Sequence, residues 1–101
     1  MERRLAAILA ADVVGYSKLM GEDQTGTLTA LRQFRHELMT SAIDDHRGQL
    51  VKNLGDGWLI EFPSASDGIA CAFEVQKALA GHSVIKLRIG IHVGDVTFVD
   101  E

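Results

Sequence analysis

The sequence holds little of what builds special-purpose small folds: one cysteine, one proline, one tryptophan and one tyrosine in 101 residues. A lone Cys71 excludes an internal disulfide and leaves no basis for a cysteine-built metal site. Within a helical apolar pattern it reads as a small buried hydrophobe. No run of five or six like charges occurs, so no charged interaction tail is expected. The net charge is −4, and without a basic patch a nucleic-acid partner is not expected. No apolar run approaches the ~20 residues of a membrane span. Arg3 and Arg4 before the apolar stretch Leu5 to Ala11 imitate the opening of a signal peptide. Asp12 interrupts that stretch, and no cleavage-like segment follows before Gly15-Tyr16-Ser17. It reads as a buried strand, and the protein as cytoplasmic with no membrane segment.

Hydrophobic residues make up 47% and charged residues 24%, the balance of a soluble globular chain with a core. There is no repeat, low-complexity tract or linker, and the length suits one domain over 1–101. Leu5 to Val14 is a short apolar run ending at Gly15, read as a central strand. Gly21-Glu22-Asp23-Gln24 is polar and loop-like. From Thr25 or Thr27 to about Asp45, apolar residues recur at Leu28, Leu31, Phe34, Leu38 and Ala42. That spacing predicts an amphipathic helix with Arg32, Arg35 and Glu37 outward.

Gln49 to Leu54 and Trp58 to Phe62 read as two strands joined by Gly55-Asp56-Gly57, a β-hairpin with Asp-Gly as its turn. Pro63 stops the second strand. Ser64 with Asp67 resembles a capping box, and a helix follows through Ile69, Ala72, Phe73, Gln76 and Leu79, with Gly81 as its C-terminal cap. Ile85 to His92 reads as a strand, and Val96 to Val99 as the start of another after a turn at Gly94-Asp95. The order is β-α-β-β-α-β: an α+β, ferredoxin-like arrangement with an antiparallel sheet and helices on one face. Its first crossover leaves room for the returning hairpin strand between two parallel strands. The first strand and the first hairpin strand therefore end at one rim, which brings Asp12 and Asp56 together. Paired carboxylates beside exposed backbone amides suit Mg²⁺ and phosphate. Each residue alone is ordinary: Asp12 as a strand-end residue, Asp56 as hairpin chemistry, Lys52 as a solvated strand residue.

Three stretches make the reading specific. Asp12-Val13-Val14-Gly15-Tyr16-Ser17, Lys52-Asn53-Leu54-Gly55-Asp56 and Arg88-Ile89-Gly90-Ile91-His92-Val93-Gly94 resemble, in order, three motifs of class III nucleotidyl cyclase catalytic domains. The resemblance runs from about Arg4 to Val96. It implies that Asp12 and Asp56, with the carbonyl of Val13, hold two Mg²⁺ (or Mn²⁺) ions. The amides around Val14, Gly15, Tyr16 and Ser17 would bind the β- and γ-phosphates. Lys52 would read the purine: an ammonium donates to adenine N1, whereas guanine N1 carries a proton, which implies ATP over GTP. His92 matches a motif position and receives no catalytic role, and the third stretch is read as mainly structural.

The implied reaction is attack of the ribose 3′-hydroxyl on the α-phosphorus, releasing pyrophosphate and 3′,5′-cyclic AMP. The resemblance also implies a head-to-tail dimer, one subunit giving the Asp pair and the other the Lys, an Asn and an Arg. Nothing in residues 96–101 matches the Asn and Arg motifs, so the chain reads as a cyclase domain missing its C-terminal part and inactive or nearly so alone. It would act as a homodimer, or as a heterodimer with a complete cyclase chain. Two alternatives stand: a non-catalytic nucleotide-binding or dimerisation module, and another ferredoxin-like two-metal enzyme such as a diguanylate cyclase or polymerase palm. The second lacks its Gly-Gly-Asp-Glu-Phe type of hairpin.

Overall fold

A computed structural model describes residues 2–82 and 84–98. Four strands, β1 (Glu2–Val13), β2 (Gln49–Asn53), β3 (Gly57–Phe62) and β4 (Leu87–Phe98), form one sheet in the order β2-β3-β1-β4. Every neighbouring pair is antiparallel. β2 therefore runs parallel to β1 with β3 between them, as the ferredoxin-like reading requires. Alternation along β1 decides which face is covered. Ala7, Leu9, Ala11 and Val13 are buried, and opposite the first three lie Phe62, Ile60 and Trp58 of β3, also buried. Residues of the other parity, Ile8, Ala10 and Asp12, lie on the helix-free face.

The helices are α1 (Tyr16–Glu22), α2 (Gln24–Phe34), α3 (Thr40–Asp45) and α4 (Ala65–Leu79). The segment read as a loop at Gly21–Gln24 is instead a helix-to-helix corner. Asp23 alone leaves helical geometry, and its carboxylate accepts the Gly26 amide at 2.9 Å to start α2. The buried Thr27 hydroxyl donates to the Leu19 carbonyl at 3.0 Å and ties the two helices. Such a side-chain acceptor satisfies one of the amides that a helix start leaves without an intrahelical partner.

A second departure lies between α2 and α3. Residues Arg35–Met39 form one π-helical turn, which adds a residue to the helical count. The inward position after Phe34 consequently falls on Met39, 1% exposed, and not on Leu38. The Thr40 hydroxyl donates to the Arg35 carbonyl at 2.9 Å across this turn. In α4 the inward face is Gly68, Cys71, Val75 and Leu79; the expected stripe through Ile69 and Phe73 points outward. Gly68 faces the Phe62 ring, where a Cβ would make an ordinary contact at 3.4 Å, so the packing there does not itself demand glycine. Burial raises the Cys71 thiol to about 11, which keeps it protonated and inert. The expected cap is present: Ser64 Oγ accepts the Asp67 amide at 3.2 Å, and Arg47 clasps the Asp67 carboxylate at 3.0 and 3.1 Å. Gly81 follows α4 with a left-handed φ of 86°.

The turn expected at Gly94-Asp95 does not form. β4 continues through it to Phe98 because β1, starting at Glu2, offers ladder partners along the whole length, including Gly94 opposite Ala6 and Asp95 opposite Leu5. Val99, the end of the expected second strand, lies outside the described residues.

The π-helical turn makes a sharp prediction. Met39→Ala should cost about 2–5 kcal/mol, and Leu38→Ala less than half as much, in urea denaturation. Equal costs would mean that an ordinary α-helix runs through this segment. A pH dependence follows from the cap. Arg47 and then Ser64 hold the Asp67 carboxyl below its usual value. The stability it contributes is therefore complete above the ordinary carboxylate range and lost as pH falls through the lowered value. Asp67→Asn should flatten that part of the acid-unfolding curve.

Candidate functional site

The C-terminal end of β1 is held from both sides. The Val13 amide donates to the Asp56 carbonyl at 2.8 Å, and the Val14 amide donates to the Lys86 carbonyl at 2.8 Å. The first bond joins the two sequence segments that carry the acidic residues. Asp12 lies opposite Gly57 in the β1–β3 ladder and opposite Arg88 in the β1–β4 ladder. Asp12 and Asp56 thus belong to adjoining backbone segments at one rim of the sheet, 44 positions apart in the chain.

The hairpin that presents Asp56 turns differently from an Asp-Gly hairpin. The left-handed residue is Gly55, with φ 83°. Asn53 Oδ1 accepts the Gly55 amide at 3.0 Å, and the Leu54 amide donates to the Gly57 carbonyl at 2.8 Å. Gly57 is not a turn residue but the first residue of β3, pressed against β1. A Cβ there would overlap the Ala11 carbonyl oxygen and lie 3.2 Å from Asp12 Cα. The two glycines around Asp56 therefore serve different ends, one permitting the turn and the other the contact.

Arg88 is the residue that sequence reasoning passed over. Its Nη2 lies 3.2 Å and its Nε 3.3 Å from Asp12 Oδ1. Its partner is set by the β1–β4 register, which places opposite charges directly across from one another and leaves no local trace in the sequence. The pair is open to solvent, with side-chain exposures of 75% for Arg88 and 47% for Asp12. Solvent leaves such a pair worth at most about 1 kcal/mol, so the guanidinium is readily displaced from the Asp12 carboxylate.

Beyond β1 the chain passes through Gly15, left-handed at φ 66°, into α1. The amides of Tyr16 and Ser17 open that helix, where no intrahelical acceptor exists. The Val14 amide, expected among the phosphate donors, is engaged by Lys86. Lys52 is exposed and pairs with Leu59, which itself pairs with Ala10. It thus belongs to the same helix-free face as Asp12. His92, opposite Ile8, is exposed on that face, remote from the rim.

The donor set is chemically suited to a hard divalent cation: two carboxylates and a backbone carbonyl, all oxygen. A guanidinium sits on Asp12, so an incoming cation would have to displace it. Among the described residues no three His, Cys, Asp or Glu side chains gather as a metal site. Any ion here would take its remaining ligands from phosphate or water, the usual condition of Mg²⁺.

Comparison with known proteins bears on the same region. No family model matches the sequence. The chain is 41% identical to a putative adenylate cyclase 3 of Rhizobium meliloti, over 99% of this chain and 18% of that protein. It is 39% identical to an uncharacterized protein of Mycobacterium tuberculosis, over 98% of this chain and 39% of that protein. Among solved structures, an adenylate/guanylate cyclase/hydrolase from Silicibacter pomeroyi superposes with a TM-score of 0.88 at 42% identity, covering 98% of this chain and 62% of that one. The chain therefore spans less than two-fifths of these curated relatives and about three-fifths of the solved chain.

The contrast between the two hairpin glycines can be measured. Gly57→Ala must push the hairpin off β1 and should cost about 1–3 kcal/mol or more, with faster hydrogen exchange of the Val13 amide. Gly55→Ala has open space and only the left-handed strain of about 1–2 kcal/mol, and should leave the Val13 amide protected. Equal exchange at Val13 in both variants would contradict this assignment.

Proposed function

From the premise that the chain belongs to the family of adenylate/guanylate cyclase catalytic domains, we propose that it supplies the metal-binding half of a shared active site converting ATP to 3′,5′-cyclic AMP and pyrophosphate. The observation that carries this reading is the 2.8 Å bond from Val13 to Asp56, which joins the two acidic segments at one rim. Asp12, Asp56 and the Val13 carbonyl are the groups that would hold Mg²⁺ or Mn²⁺. Bound there, the ions would promote ionisation of the ribose 3′-hydroxyl and offset charge on the leaving pyrophosphate.

The chain's own residues do the positioning. Gly15 turns the backbone so that the amides of Tyr16 and Ser17 face an anion at the start of α1, while Val14 joins them only by giving up its bond to Lys86. Arg88 pairs with the Asp12 carboxylate at the exposed rim and would give way to an incoming cation. Lys52 is the purine reader and favours adenine through its donor character. The Asp pair serves one site of a head-to-tail dimer and Lys52 the other, so the partner's lysine, asparagine and arginine complete the site built on Asp12 and Asp56.

A second reading is a non-catalytic nucleotide-binding or dimerisation module. Within these 101 residues no stretch matches the family's Asn and Arg motifs, so these residues taken by themselves fit that reading. Loss of one such charge-stabilising group costs on the order of 10³–10⁵ in rate. A homodimer of these 101 residues alone would hold neither motif in either site.

Mixing separates the two. The chain alone should form little cyclic AMP. Added to a complete cyclase chain whose own metal Asp pair is mutated, it should restore synthesis with Mg²⁺ or Mn²⁺. Asp12→Asn or Asp56→Asn in this chain should remove at least about a hundredfold of the restored rate. Metal-dependent ATP binding with no recovered synthesis would support the second reading instead.

A further inference from the structure

One histidine holds the short segment from which the end of β1 hangs. His82 is anchored where α4 ends, its amide donating to the Leu79 carbonyl at 2.8 Å. From there its ring receives the residues that lead into β4: Nδ1 accepts the Ile85 amide at 2.9 Å and the Val84 amide at 3.1 Å. Ile85 is fully buried and Leu87 nearly so. Lys86, set between these two, turns its carbonyl to β1 and accepts the Val14 amide at 2.8 Å. The residue whose amide the ring holds is thus next in the chain to the residue that holds Val14.

Two donated amides fix the chemistry of the ring. A neutral imidazole has one nitrogen that donates and one that accepts, so the proton of the neutral ring resides on Nε2. A second proton can enter only at Nδ1, and it turns the shared acceptor into a donor that faces both amides. Ile85 has no solvent exposure, so its amide finds no water in place of the ring and the segment must shift. The ring is half-buried between two hollows. Gln76 and Lys86 line one, and Gln33 and Glu37 the other. Glu37 and Lys86 are the other titratable groups in those walls, whereas imidazole is the side chain whose charge ordinarily changes near neutral pH.

We propose that His82 is a proton-sensitive latch on the Val14 amide. With the ring neutral, residues 84–86 are held and Val14 stays bonded to Lys86. With the ring protonated, the segment moves off, the Lys86 carbonyl withdraws, and the Val14 amide is released beside those of Tyr16 and Ser17. A phosphate at the start of α1 then meets the Val14 donor as well. That consequence rests on the cyclase reading; the latch itself does not.

The test reads the full chain without metal or nucleotide, so failure of the cyclase reading leaves it intact. Ring nitrogen chemical shifts of His82, followed from about pH 7.5 to about pH 5.5, should show Nδ1 unprotonated at the start and protonated at the end. Over the same range the protection factor of the Val14 amide, corrected for intrinsic exchange at each pH, should fall at least about tenfold, since about a tenth of ordinary imidazoles stay neutral one pH unit below their pKa. The Val13 amide, bonded to Asp56, should stay protected. His82→Asn keeps an acceptor oxygen near the place of Nδ1 but takes up no proton, and should hold Val14 protected at both pH values. His82→Ala removes the acceptor and should leave Val14 open at both. If that variant unfolds, the unmodified chain and His82→Asn still decide the matter. A ring that stays neutral throughout, or one that protonates with Val14 still protected, would overturn the proposal. So would an equal loss of protection in His82→Asn, because another group would then be titrating.

Discussion

The bond from the Val13 amide to the Asp56 carbonyl is the constraint on which the site depends. A hairpin tip is ordinarily the freest part of a sheet, and an acidic residue on it would sample many positions. Here the tip is bonded to the central strand, and the same strand end is held on its other side by Lys86. The rim is therefore a three-segment junction made by backbone alone. Side chains at Asp12 and Asp56 can change without removing the scaffold that brings them together. Gly57 is the sequence requirement of that junction, because any side chain at its position collides with β1.

The rest of the fold serves the junction at a distance. Packing of Phe62, Ile60 and Trp58 on β1 fixes the register of β3, and a slip of one residue would turn those side chains to the wrong face. Register then carries Asp12 opposite Gly57 and Arg88. The buried face is closed by α2, α3 and α4, leaving the other face bare for Asp12 and Lys52. Arg88 gives the unliganded rim a weak, exchangeable counter-ion; a buried ion pair in its place would oppose any incoming cation far more strongly.

The order of elements and the meeting of Asp12 with the hairpin were legible from the sequence, because strand alternation, the glycine punctuation and the Ser64 cap are local signals that tertiary packing did not override. Other features were not. Asp23 looks like a loop residue because the same carboxylate that favours turns also starts helices, and only the Gly26 amide distinguishes them. The π-helical turn moves the inward position from Leu38 to Met39, and an extra residue in a helix leaves no trace in composition. β4 runs straight through Gly94-Asp95 because β1 is long enough to pair with it, a fact about another strand. Arg88 was missed for the same reason: its partner is set by register, and the motif around it reads as structural. The roles given to Asp12, Asp56 and Lys52 came from resemblance to a family; the residues alone, read without it, reached only a pair of carboxylates at a shared edge.

The central claim is that Asp12 and Asp56 share one cation site. Its most direct test is paramagnetic broadening of amide signals by trace Mn²⁺ in the presence of a non-reacting ATP analogue. The account predicts that signals of residues 12–17 and 54–57 broaden together, and that Asp56→Asn weakens the effect at both segments. Broadening at only one segment, or first at the His46–Glu74 pair on the far helices, would contradict it.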